Sequence, residues 1–94
     1  MTKSQLIDAI AQKKSGLARK TVEMAVNAVF DEMVEAMKRG ERIEIRGFGN
    51  FTVRKYPGYT GRNPKTGATV PVPPKQMPFF KVGKDLKERV KTGE

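Results

Sequence analysis

The chain has 94 residues with neither cysteine nor histidine, and its 19 Lys and Arg outnumber 10 Asp and Glu to give a net charge of +9. These numbers exclude disulfide cross-links and a Cys/His zinc site, and they remove the commonest general base and the strongest nucleophile. The length allows one small domain, whose large surface relative to volume leaves a lone chain marginal; association with another chain is the remaining way to stabilise it.

No apolar run approaches the roughly 20 residues needed to cross a bilayer, and the first residues lack the apolar stretch of a secretory signal. A soluble, cytoplasmic protein without a membrane partner is expected. The excess charge has a definite place. Between Ile45 and Lys84 there is no Asp or Glu, while Arg46, Arg54, Lys55, Arg62, Lys65, Lys75, Lys81 and Lys84 supply eight cations. A solvated surface mixes both signs, whereas a block of one sign calls for a polyanion.

In chain order, Thr2-Lys3-Ser4-Gln5 fits a capping box, and Leu6, Ile7, Ile10 and Ala11 recur at helical spacing before Gly16. A second, longer helix is expected over residues 18–39. Its stripe of Val22, Val26, Val29, Phe30, Met33 and Met37 is widened by Met24, Ala25, Ala28, Val34 and Ala36. That width exceeds what one short helix covers and points to a second subunit. Lys38 and Arg39 suit the negative end of the helix dipole, and Gly40 suits the position after it.

After Gly40 the period drops to two. Arg42-Ile43-Glu44-Ile45-Arg46 reads as a half-buried strand, Gly47-Phe48-Gly49 as a turn, and Phe51-Thr52-Val53-Arg54 as a second strand. Residues 55–75 hold almost no large aliphatic side chain but carry Gly58, Gly61 and Gly67 with Pro57, Pro64, Pro71, Pro73 and Pro74. This segment is either a disordered linker or an extended hairpin with its tip near Asn63-Pro64. Met77-Pro78-Phe79-Phe80-Lys81-Val82 reads as a closing strand, and residues 84–91 as a short helix with Leu86 and Val90 on one face. Helices followed by strands indicate an α+β domain.

Asp31, Glu32 and Glu35 read as a solvated helix face, and Gly47-Phe48-Gly49 lacks the third glycine and the helix of a dinucleotide fingerprint. No enzymatic activity, cofactor, metal or small-molecule substrate is expected. Arg46-Gly47-Phe48-Gly49 opens like an RNA-recognition signature, but Asn50 stands where that signature needs an aromatic. In a continuous strand Phe48 and Phe51 would face opposite sides and could not share a stacking platform, so both are read as core or dimer-interface residues. An RNA-binding or ribosome-associated protein is the alternative from another class. A basic amphipathic helix, which membrane binding would need, is missing from the pattern.

Three motifs carry a resemblance: Arg46-Gly47-Phe48-Gly49-Asn50-Phe51, Gly61-Arg62-Asn63-Pro64-Lys65-Thr66-Gly67, and Pro78-Phe79-Phe80-Lys81-Val82-Gly83-Lys84. In this order, across almost the whole chain, they resemble the family of HU and integration host factor, and Glu41-Arg42-Ile43-Glu44-Ile45-Arg46 resembles its beta branch.

The resemblance implies two N-terminal helices, a three-stranded antiparallel sheet with a long protruding β-ribbon arm, a short C-terminal helix, and an intertwined dimer. It implies a body of residues 1–54 and 76–94 and an arm of about 55–75. The implied partner is double-stranded DNA in the nucleoid, bound through the minor groove and bent; proteins of this family are established examples of that mode. Homodimer and heterodimer with a related subunit both remain open, the latter as a site-preferring beta subunit.

The implied roles fall on particular residues. Pro64 matches the wedge that enters between base pairs, and Arg62 and Asn63 match the groove residues beside it. Arg46 matches a body arginine tied to sequence preference. Arg54, Lys55, Lys65 and Lys75 would neutralise phosphates, as would Lys81 and Lys84 near the start of the last helix and Lys3 near the first. Val26, Phe30, Phe48, Phe51 and Phe80 would form the dimer core. Pro71, Pro73 and Pro74 each remove a ladder donor, so an irregular returning strand is expected; Tyr56 and Tyr59 stand where basic residues are frequent in relatives.

Overall fold

A computed structural model describes residues 1–14 and 16–93. The chain falls into two compact units, Met1–Glu35 and Ala36–Glu94. In the first, helix α1 (Lys3–Lys13) begins with the expected capping box: the Gln5 amide donates to Thr2 Oγ1 at 3.2 Å and the Thr2 amide to Gln5 Oε1 at 2.8 Å. It ends at Lys13, and Gly16, expected as its terminator, has a φ of 91°. Ser15 lies outside the described residues.

Helix α2 (Arg19–Lys38) is tied to α1 at its first residue. Arg19 donates to Asp8 at 2.6 Å, to Glu23 at 2.9 Å and to Ser4 Oγ at 3.3 Å. The Asp8 carboxylate, and then Glu23, hold the guanidinium still more firmly in its charged form. Ile7 on α1 and Val22 on α2 are the only buried hydrophobic side chains among the described residues. Phe30, Val29 and Val34 stay 43%, 59% and 48% exposed. Such a core is far too small to hold a chain of this length alone.

The second unit begins with the end of α2. Gly40, with φ of 78°, donates to the Met37 carbonyl at 2.9 Å, and Glu41 to that of Ala36 at 3.0 Å. This pair of bonds is a Schellman close, which needs the left-handed conformation that glycine adopts without steric cost. The neighbouring Arg39 guanidinium, 3.0 Å from Glu41, holds that carboxyl below the usual glutamate range.

Three strands follow in antiparallel order β1-β2-β5: β1 (Ile43–Ile45), β2 (Gly49–Tyr56) and β5 (Lys75–Val82). The β1–β2 turn is closed by the Phe48 amide donating to Ile45 O at 3.0 Å, and Gly47, with φ of 81°, takes the position where a type II turn requires positive φ. Register places Phe51 opposite both Ile43 and Phe80, and Gly49 opposite Ile45 and Val82. Because partners across a ladder share a face, one face carries Ile43, Ile45, Phe51, Val53, Phe80 and Val82, with Pro78, Lys55 and Gln76 toward the arm. The other carries Glu44, Asn50, Thr52, Arg54, Tyr56, Lys75, Met77, Phe79 and Lys81. Helix α3 (Lys84–Thr92) closes the chain, from Gly83 to a left-handed Gly93.

Residues 55–75 form a hairpin. The β2–β5 ladder runs out to Tyr56 and Lys75, two positions into the expected arm on the first strand and one on the second, and a second ladder joins β3 (Tyr59–Arg62) to β4 (Thr69–Val72). The irregularity expected of the returning strand takes the form of one interruption between two regular ladders. The break falls where Pro57-Gly58 faces Pro73-Pro74, since consecutive prolines offer no ladder donor. A Cβ on Gly58 would come within 2.9 Å of the Val72 carbonyl oxygen, so the strands approach closely there. Pro71 is accommodated inside β4 opposite Thr60. In a two-stranded ribbon every second N–H points outward, and a proline there costs no ladder bond.

Candidate nucleic-acid interface

At the far end of the ribbon the chain reverses through Pro64-Lys65-Thr66-Gly67. The Gly67 amide donates to Asn63 O at 2.7 Å, the Asn63 amide to Ala68 O at 2.9 Å, and Gly67 has a φ of 74°. Asn63 Oδ1 accepts from the Lys65 amide at 2.8 Å, and Thr66 Oγ1 from the Ala68 amide at 3.2 Å. The tip is therefore built by its own side chains, with Pro64 exposed in the turn. Proline presets the φ that the second turn residue needs. Arg62 and Lys65 flank it, both exposed. Since the Asn63 oxygen is used within the turn, the group this side chain presents outward is its amide NH2.

At the base of the ribbon, Arg54, Lys75 and Lys81 share the outer sheet face. The Arg54 guanidinium lies 3.5 Å from the Phe79 ring centroid, and Lys75 Nζ lies 5.8 Å from that of Tyr56. The aromatic surface thus props the cations without neutralising them. Lys55 falls on the opposite face. Its Cε and Nζ lie 3.7 Å from where a Cβ on Gly40 would stand, beside the negative end of α2.

Arg46 is exposed in the β1–β2 turn. Lys84 opens α3, whose N-cap, Gly83, makes no side-chain capping bond; the next residue, Asp85, puts a carboxylate in the first turn, 3.4 Å from where a Cβ on Gly47 would stand. Lys3 opens α1 in the other unit.

The residues expected at a dimer core divide in the same way. Val26 and Phe30 lie on α2, half-buried and exposed respectively. Phe48, Phe51 and Phe80 cluster in the second unit, with Phe80 centroids 5.6 Å from Phe48 and 4.8 Å from Phe51. The strand alternation invoked for Phe48 and Phe51 does not apply in this structure. Phe48 belongs to the turn rather than to a continuous strand, so strand alternation does not govern it. The contacts of Arg54 with Phe79, and of Lys75 with Tyr56, escaped the sequence reading. The i, i+2 spacing of Arg54/Tyr56 and of Lys75/Met77/Phe79 was the signal that could have revealed a shared face.

A helix pair, a three-stranded sheet and a carboxylate-free β-ribbon with a proline tip define a small DNA-binding protein of the architectural type. Residues 1–91 match the family described as bacterial DNA-binding protein. The chain is 53% identical over 93 residues to integration host factor subunit beta of Alkalilimnicola ehrlichii, covering 99% of this chain and 93% of that one. Among solved structures it is similar to Anabaena HU in a cocrystal with DNA, with TM-score 0.78, 33% identity, and coverage of 96% of this chain and 97% of that one. HU from Thermotoga maritima matches with TM-score 0.68, 32% identity and coverage of 96% and 98%. The chain belongs to the HU and integration host factor family of bacterial DNA-binding proteins. Among the described residues no helix is long and apolar enough to cross a membrane.

Proposed function

We propose that the protein works as an intertwined dimer that grips the minor groove of double-stranded DNA with its two arms, bends the duplex and compacts it. The observation that carries this reading is the exposed Pro64 at the apex of a ribbon whose flanking charges, Arg62 and Lys65, are all positive. Pro64 enters between base pairs as a rigid apolar wedge without an N–H to desolvate. Arg62 lies in the negative potential of the groove, and the Asn63 NH2 donates to acceptors on its floor.

Arg54, Lys65, Lys75 and Lys81 neutralise phosphates, and Lys84 and Lys3 add contacts from helix starts. Arg46 contributes a minor-groove contact from the body. Lys55 reaches phosphate only by leaving the end of α2. The body comprises residues 1–54 and 76–94 and the arm about 55–75. Val26, Phe30, Phe48, Phe51 and Phe80, which are incompletely buried in one chain, are covered by the second subunit.

The protein performs no catalysis; it acts in the cytoplasm, on the nucleoid, and supports DNA organisation, transcription, replication and recombination. The 53% identity to a beta subunit favours one second reading, a site-preferring subunit that needs an alpha partner. Competition between nicked or bent duplex and structured RNA tests the class. Duplex should displace RNA, and preferential retention of RNA would contradict the proposal.

A further inference from the structure

With no cysteine, the chain carries its sulfur in five methionine thioethers. Met33 and Met37 are half-buried on α2, whereas Met1, Met24 and Met77 are 90%, 64% and 46% exposed. Of these three only Met77 stands among the cations of residues 45–84. It lies on the outer face of β5, directly opposite Arg54 on β2, in the wall of an open groove of about 590 Å³. Residues directly opposite each other on one face of a ladder hold their Cβ atoms about 5 Å apart, within reach of long side chains. The Arg54 guanidinium rests on Phe79, two residues further along β5, 3.5 Å from the ring centroid. A thioether is only a weak acceptor, so Met77 offers the guanidinium nothing to compete with that ring.

We propose that Met77 is an oxidation site through which hydrogen peroxide loosens the protein's hold on DNA. A sulfur lone pair attacks the peroxide, and the S–O bond forms as the O–O bond breaks. The thioether gives up two electrons to become the sulfoxide, and the second oxygen leaves with both hydrogens as water. The product sets a polar S=O acceptor opposite a guanidinium with five N–H donors. A hydrogen bond between them draws Arg54 off Phe79 and away from phosphate. The change is reversible, because methionine sulfoxide is reduced enzymatically. This control acts on the phosphate contact proposed above for Arg54 and rests on it.

Peptide mapping reads the site cleanly, because residues 76–81, between cleavage points after Lys75 and Lys81, hold Met77 and no other methionine. After graded treatment with hydrogen peroxide this peptide should gain one oxygen. Affinity for an end-labelled intact duplex should fall in step, about fivefold, the scale of one phosphate contact near 0.1 M salt. Methionine sulfoxide reductase should restore it. Met77→Leu keeps the apolar bulk without the sulfur, and the same treatment should leave its affinity unchanged although Met1 and Met24 are oxidised. Arg54→Ala should bind more weakly before treatment and lose nothing further after it, since the sulfoxide then has no guanidinium to engage. Equal losses for the parent and Met77→Leu, or full affinity with Met77 completely oxidised, would overturn the proposal. So would a further loss in oxidised Arg54→Ala. A salt dependence left unchanged by Arg54→Ala would refute the phosphate contact itself, and the control with it.

Discussion

The Phe80 ring occupies the space that a side chain on Gly49 would fill. A Cβ there would lie 2.7 Å from two atoms of the ring and 2.6 Å from the Lys81 carbonyl oxygen. Phe80 can therefore sink over β2 and bring its ring within reach of both Phe48 and Phe51. The neighbour on one side is backbone of a paired strand, which cannot move without breaking the ladder. Gly49→Ala should cost about 1–3 kcal/mol, the scale of an overpacked core. Thermal unfolding at fixed protein concentration checks this; an unchanged midpoint would mean that the sheet yields there.

Assembly is the second point. Among the described residues Ile7 and Val22 are the only buried apolar side chains, and Phe30 and Phe80 are 43% and 39% exposed, too little for a core in a single chain. Folding and association should be one event, so the midpoint of thermal unfolding should rise with protein concentration. Phe30→Asp should leave the chain unfolded or dissociated at micromolar concentration. Sedimentation showing a folded monomer of the parent protein would contradict this.

Much of this arrangement was legible in the sequence. Thr2 and Gln5 announced the first helix, Gly40 closed the second, and the change to period two marked the sheet, because these are local rules of capping and alternation. What was not legible depends on register. Nothing along the chain says that Lys55 turns toward Gly40 while its neighbour Arg54 lies on Phe79; that follows only once β2 is paired with β5. Likewise, the prolines forecast disturbance somewhere in the returning strand. Its confinement to one point depends on Pro57-Gly58 lying opposite Pro73-Pro74. At the tip, Asn63 was read as a groove residue, and its bond to the Lys65 amide appears only with the turn closed.

That division of the cations has a measurable consequence. Replacing Lys75 by Ala should lower the slope of log affinity against log salt by about one, the value for one phosphate contact. Lys55→Ala should change the slope by much less, because its ammonium rests beside the end of α2 on the other sheet face. Titrations from low to moderate salt on one duplex would decide between them. Equal changes would place both lysines on phosphate.

The central claim is that Pro64 bends DNA by entering the base stack. Unstacking a step costs on the order of a few kcal/mol, recovered when the bent duplex meets more of the protein. Pro64→Ala removes the ring and leaves every cation in place, and the turn keeps its Asn63 and Gly67 bonds. The decisive measurement is energy transfer between dyes on the two ends of an intact duplex, with parent and Pro64→Ala protein at saturation. Transfer should fall sharply in the variant while affinity for nicked duplex is mostly retained. Equal transfer with both proteins would reduce Pro64 to a turn residue and contradict the wedge.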